Sequence, residues 1–273
     1  MGVVLERGQL EGILSSCLNL NQLIIKYCKL PYKLCISGTV TSVLFVNCCE
    51  LDEIDLQATK LRRFEGSFDD KVKFCFSSVP VLKHVNICLI GGAGMPYIFG
   101  EFARDLPAQV KSLIITAYSD QVANFPTETQ IFRNLRKLAL LLESTYDFDI
   151  VKVSPVLDAC PLLQYLDLVQ KSTITQKARR SGIRSLSPTC HTELKEVRFG
   201  GFLGIQEEIE LVLYILKSAM VLKRMFLSQY LISPYYSVHY GFDTWKKRER
   251  ERLSIEQKLH RQAISSNVVV IIQ

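Results

Sequence analysis

One phrase, apolar-x-x-apolar-x-apolar, recurs along this chain and constrains its fold more than any other feature. It stands at Leu20/Leu23/Ile25, Val40/Val43/Phe45, Leu51/Ile54/Leu56, Leu61/Phe64/Gly66 and Leu82/Val85/Ile87. It continues at Val110/Leu113/Ile115, Leu135/Leu138/Leu140, Leu163/Leu166/Leu168, Leu194/Val197/Phe199 and Leu222/Met225/Leu227. Successive starts lie 20, 11, 10, 21, 28, 25, 28, 31 and 28 residues apart. Residues two apart in a strand point to one face, so the last two apolar residues of each phrase enter the core side by side. The first sits on the approach to the strand. A short strand with a return segment cannot bury its apolar face alone. It has to stack on its neighbours, which closes a core and builds a parallel sheet.

Apart from the short steps near 51–61, the spacing falls at or near the leucine-rich-repeat range of about 20–29 residues. The expected fold is an α/β leucine-rich-repeat solenoid. Its parallel β-sheet lines the concave face of a horseshoe, and helices or irregular segments form the convex face. The early repeats carry a small polar or thiol residue three positions after the phrase: Cys28, Cys48 and Thr59. Such a residue suits a turn where backbone groups need partners. Later repeats replace it with Glu143, Lys171 and Phe202. Three positions before the phrase stand Cys17, Val79, Phe132, Cys160 and Ala219, expected as core fillers.

Several return segments read as helical. Thr127-x-x-Gln130 has the form of a capping box, and Ser154-Pro155 that of an N-cap followed by proline in the first turn. Between Gln206 and Ser218 the residues Ile209, Val212, Leu213 and Leu216 make an amphipathic stripe. Gly91 to Pro96 reads as a loop. The charged segment 243–262 is expected to be helical, and Val268 to Ile272 a final buried strand.

Composition narrows the function classes. The longest apolar runs are about five residues, far below the roughly 20 a membrane helix needs. No basic-then-apolar leader opens the sequence. Nine scattered cysteines without C-x-x-C spacing suit free thiols in a reducing compartment, cytoplasmic or nuclear, rather than a metal site. The formal charge of +6 is concentrated in 171–198 and 243–262. Two basic segments on a near-neutral body do not make a nucleic-acid groove, so nucleic acid is not an expected partner. The glycines at 91–94 and 200–204 lack the Lys-Ser/Thr of a phosphate loop. The four histidines have no metal-ligand spacing, and no G-x-S-x-G elbow occurs. Neither catalytic activity nor a cofactor is expected.

The stretch Cys160-Pro161-Leu162-Leu163-Gln164-Tyr165-Leu166-Asp167-Leu168 resembles the C-P-x-L-x-x-L-x-L phrase of plant F-box/LRR-repeat proteins. Glu193 to Phe202 looks like the start of their FBD-type tail. It leads into Glu208 to Leu216 and then Val221-Leu222-Lys223-Arg224-Met225 in a similar order. The likeness covers 160–272 by motif and 1–159 by repeat pattern. It implies two domains, a degenerate solenoid over 1–190 and an FBD-like tail and cap over 191–273. It also implies the target-recognition part of a cullin-RING (SCF) ubiquitin ligase receptor, in which an F-box holds a Skp-type adaptor. The F-box module, which usually ends in tryptophan, is missing before the first repeat; the one tryptophan is Trp245. The chain is thus expected either to come from a truncated reading frame or to be an F-box-less scaffold or competitor without a ligase link.

The expected binding face consists of the residues between and beside the core pairs. In the first half these are Gln22, Ile24, Lys26, Ser42, Leu44, Val46, Glu53, Asp55, Arg63, Glu65, His84, Asn86, Ser112 and Ile114. In the second half they are Lys137, Ala139, Tyr165, Asp167, Glu196, Arg198, Arg224 and Phe226. Tyr165, Arg198, Arg224 and Phe226 are the expected anchors for a protein target, because exposed Tyr, Arg and Phe dominate interface energetics.

Overall fold

Each of the ten phrases lies on a β-strand. A computed structural model describes residues 3–6, 8–68, 72–89, 94–118, 122, 125–126, 129–144, 148–172, 189–229 and 249–273. The chain forms two compact units, Met1–Leu135 and Arg136–Gln273.

The first unit holds β1 (Gln22–Lys26), β2 (Lys33–Ile36), β3 (Ser42–Cys48), β4 (Glu53–Leu56), β5 (Arg63–Phe68), β6 (Lys73–Cys75), β7 (His84–Leu89) and β8 (Ser112–Ala117). β1, β3, β5, β7 and β8 pair in that order, all parallel, with Gln22, Ser42, Arg63, His84 and Ser112 in one row. β2, β4 and β6 make a second parallel sheet. The phrase at Leu51 therefore marks a return strand, which accounts for its short spacing. Each early repeat divides its length between two short strands, one in each sheet. The step from His84 to Ser112 is longer and returns through a helical stretch, Gly94–Tyr97, Ile98–Phe102 and Ala103–Asp105. A helix rises 1.5 Å per residue and a strand about 3.3 Å, so a helical return needs more chain to cover the same distance.

Aromatic rings fill the space between the two sheets. Phe45 meets Phe64 at 6.1 Å, Phe64 meets Phe74 at 5.6 Å, and Phe74 meets Phe102 at 5.5 Å. The backbone N–H of Phe74 donates to the Tyr97 hydroxyl at 2.8 Å, which places a polar tip inside this apolar layer. Gly66, the odd member of its phrase, has a packing cause. A Cβ there would come within 2.3 Å of the Phe68 ring, so the phenylalanine two residues on fills the space a side chain would have taken.

The second unit holds β9 (Lys137–Ser144), β10 (Tyr165–Ser172), β11 (Glu196–Gly200), β12 (Arg224–Ser228) and β13 (Val269–Ile272), parallel and in that order. Lys137, Tyr165, Glu196, Arg224 and Val269 share a row. The described returns are helical: Ile150–Val153 running into Ser154–Asp158, then Gln206–Ser218, then Glu249–Leu259. In the Gln206–Ser218 helix, Ile209, Val212 and Leu216 are buried as the stripe requires, with Leu213 half-buried. Glu208, Leu211, Tyr214 and Ile215 are buried as well, so the helix is covered over more of its circumference than one stripe.

Two polar devices fix this helix. Tyr214 donates to Asp158 on the neighbouring return helix, and His191 Nε2 lies 3.2 Å from the Tyr214 hydroxyl. Burial holds His191 below the usual histidine range, although Asp158 works against that shift. At the helix start, Glu208 Oε2 accepts the N–H groups of Leu203, Gly204 and Ile205 at 2.8, 2.7 and 3.3 Å. Complete burial raises the Glu208 carboxyl to about 8. The three N–H groups pull the other way, since they favour the ionised carboxylate, and Oε1 has no hydrogen-bond partner. Gly204 turns the chain at φ 75°, and a Cβ there would meet Ile255 Cδ1 at 2.3 Å, so glycine lets the Glu249–Leu259 helix pack close.

Several expectations change. Cys17 is exposed rather than a core filler, whereas Val79, Phe132, Cys160 and Ala219 are buried. Cys17 lies just past the end of the first helix, Gln9–Ser16, whose inward positions go to Leu10 and Leu14. Ser154 is not an acceptor cap: its hydroxyl donates back to the Val151 carbonyl at 2.8 Å, and Asp149 accepts the Val151 N–H instead. The closing strand is half-exposed, with Val269 54% exposed, because β12 pairs one edge and no described strand pairs the other. Glu53 and Asp55 belong to the second sheet and leave the binding-face row. The thiol of Cys28 donates to the Lys26 carbonyl, as a turn residue should, whereas Cys48 is the buried last residue of β3 and Thr59 is exposed. Thr127, the Gly91–Ala93 part of the expected loop, and most of 171–198 lie outside the described residues. So does the start of the C-terminal charged segment, whose described part is helical over Glu249–Leu259.

Two substitutions test this packing. Phe64→Ala should cost about 3–5 kcal/mol in a denaturant titration, because no side chain can collapse into the aromatic layer. Glu208→Leu strands three N–H groups and should cost about 3 kcal/mol. Glu208→Gln keeps an acceptor oxygen and should cost at most about 1 kcal/mol. The raised carboxyl binds its proton more tightly in the fold, so this contribution should make wild-type stability fall between pH 4.5 and about 8 and level off above that. The Gln variant should lack that decline.

Candidate protein-binding face

Alternation on β9–β13 sends one set of side chains into the core and the other to the opposite face of the sheet. Leu166, Leu168, Val197, Phe199, Met225 and Leu227 take the core. The outer face begins with two rows. One runs Lys137, Tyr165, Glu196, Arg224, Val269, and the next Ala139, Asp167, Arg198, Phe226, Ile271.

Glu196 is the centre of this face. Its side chain is 9% exposed, yet both oxygens are engaged. Oε1 accepts from Arg198 Nε at 2.9 Å and Nη2 at 2.8 Å, and Oε2 lies 2.7 Å from Arg224 Nη2. Strand geometry produces this: Arg198 is two residues along β11, on the same face, and Arg224 stands directly across on β12. The Arg198 guanidinium also lies over the half-buried Phe226 ring, 5.8 Å from its centroid. The arginine side chains stay 48% and 60% exposed. Tyr165, on the other side of Glu196, is exposed.

The four expected anchors therefore stand on three adjacent strands. Arg198 and Phe226 touch, Arg198 and Arg224 share one carboxylate, and Tyr165 takes the register position beside that carboxylate. Glu196 itself was placed on the face by its register but not recognised as the residue that orders it. The signal was present as Glu-x-Arg on one strand, but its second arginine becomes visible only through strand pairing. Ser112, Ile114, Ala139 and Asp167 also hold face positions yet are buried.

Asp167 differs from Glu196. It is 5% exposed, and its Oδ1 has no hydrogen-bond partner. Burial raises its carboxyl to about 6, while Arg198 and Lys137 pull it down and Glu196 pushes it up. Among the described residues no group of three or more His, Cys, Asp or Glu could hold a metal ion. No described helix is long and apolar enough to cross a membrane. All nine cysteines are free thiols.

The raised Asp167 carboxyl gives a signed pH dependence. Its contribution favours the fold below about 4, where both states are protonated, and is lost as pH rises through 6. Asp167→Asn should therefore stabilise the protein by about 2 kcal/mol at pH 8. At pH 4 the gain should vanish, as read from paired urea titrations.

The face belongs to a repeat architecture that comparison with known proteins also recovers. No curated protein and no solved structure matches the chain. The family model for the LRR domain of At1g61320/AtMIF1 matches residues 1–264, nearly the whole chain. With parallel strands repeated at leucine-rich-repeat spacing in both units, this protein belongs to the At1g61320/AtMIF1 leucine-rich-repeat domain family.

Proposed function

We propose that this chain is a protein-interaction module that recognises a protein target through Tyr165, Arg198, Arg224 and Phe226. One observation carries the reading: a largely buried carboxylate, Glu196, orders two half-exposed arginines beside aromatic rings. Arginines whose side chains are already placed lose less freedom on binding than free ones, which is what an interface anchor requires. The leucine-rich-repeat family supports a binding role rather than a catalytic one.

The finer reading follows the sequence resemblance to plant F-box/LRR proteins. The module would be the target-holding part of a ubiquitin-ligase receptor, with 1–190 as solenoid and 191–273 as an FBD-like tail and cap. A Skp-type adaptor would join only through an F-box. The second reading is a scaffold or competitor that binds the same targets without a ligase link. Nine free thiols favour a reducing compartment, cytoplasm or nucleus.

Two pull-downs test this. Wild-type chain should capture target proteins that a variant with alanine at all four anchors loses by tenfold or more; an unchanged set would dismiss the face. Retention of a purified Skp-type adaptor by the full chain would favour the ligase reading, and its absence the scaffold.

A further inference from the structure

The chemistry of the partner can be read from how the charges on this face are spent. Both oxygens of Glu196 face arginines, Oε1 Arg198 and Oε2 Arg224, and its side chain is only 9% exposed, so its charge is offset within the face and little of it is open to an incoming cation. The arginines are not used up. Arg198 engages Nε and Nη2, and Arg224 engages Nη2; among the described residues their other guanidinium nitrogens have no partner. Lys137 adds a third cation in the same row as Glu196 and Arg224. Of the other carboxylates on this face, Asp167 is buried and Glu143, further along β9, is paired with Lys171 at 2.7 Å. Around Glu196 the accessible charge is therefore cationic, although the described face contains three acids. Guanidinium forks match carboxylates two donors at a time.

We infer that the occupant of this face is an acidic peptide segment of a protein, with Asp or Glu side chains on Arg198 and Arg224 and an aromatic or apolar side chain beside Tyr165 or Phe226. This rests on the protein-binding reading above and adds the partner's chemistry to it. Three features favour a peptide over a phosphodiester backbone. Among the described residues the cations on this face are few, and two of them share one carboxylate. Nucleic-acid affinity grows with the number of phosphates neutralised along a track. The neighbouring face positions, Ala139 and Ile271, are apolar and offer no continuation of such a track.

The test is fluorescence anisotropy on the full chain with two labelled peptides, one alternating Glu and Tyr, the other Lys and Tyr. A single-stranded oligo-dT serves as competitor. The Glu-Tyr peptide should bind, and Arg198→Glu with Arg224→Glu should weaken it at least tenfold. Because charge reversal beside buried Glu196 could disturb the fold, the pair Arg198→Lys and Arg224→Lys is the second variant. It keeps the charge but loses the fork, and should weaken binding about threefold. Arg104→Glu, on the helical return of the first unit, should leave it unchanged. No binding of the Glu-Tyr peptide would overturn the inference. Tighter binding of the Lys-Tyr peptide, abolished by the same substitutions, would overturn the acidic chemistry while keeping the face. Glu-Tyr binding indifferent to both arginine variants would overturn the face itself. Displacement of the peptide by oligo-dT at equal charge concentration would assign the arginines to nucleic acid.

Discussion

Every strand here depends on its neighbour. A short segment cannot hold a β conformation alone, nor hide two apolar side chains from water. Laid in parallel register against the same segment of the next repeat, it gains a hydrogen-bond ladder and a shared core row at once. Gln22, Ser42, Arg63, His84 and Ser112 align in one unit, and Lys137, Tyr165, Glu196, Arg224 and Val269 in the other. That alignment sets which residues enter the core and which stand together on the opposite face. The core and the outward surface thus come from the same register. A slip of one residue would exchange the two faces.

The return segments follow a simpler rule. The shorter repeats have chain enough for a second short strand, and the aromatic layer of Phe45, Phe64, Phe74 and Phe102 forms between the two sheets of the first unit. The longer repeats close through helices, whose smaller rise per residue takes up the added length. Lengthening a repeat changes its outer wall and leaves its inner strand in place. The helical walls need anchors of their own, which Glu208 and the Tyr214–Asp158 pair supply.

The binding face shows how burial sorts like groups into different roles. Glu196 and Asp167 are both largely hidden acids on adjacent strands. Glu196 has two arginines and acts as their organiser. Asp167 has a charge field but an unpaired oxygen, and its carboxyl rises to about 6. The first holds two arginines in place, the second is a cost to the fold that depends on pH.

The sequence by itself determined the repeat, because a period-two pair of apolar residues placed once per repeat has few other physical solutions. All ten phrases are strands, and the Gln206–Ser218 helix could be read from its stripe. It did not disclose β2 and β6. Leu34/Ile36 follow Leu30 at the wrong offset, and β6 has only Phe74 at its centre, so neither forms the phrase. Nor did it show that the phrase at Leu51 belongs to a return strand, since an apolar pair looks the same on either wall. The candidate anchors were legible as outward residues one strand at a time. Only the tertiary structure joined Arg198 to Arg224 through Glu196, because that contact crosses between two strands of successive repeats and exists only once their register is set.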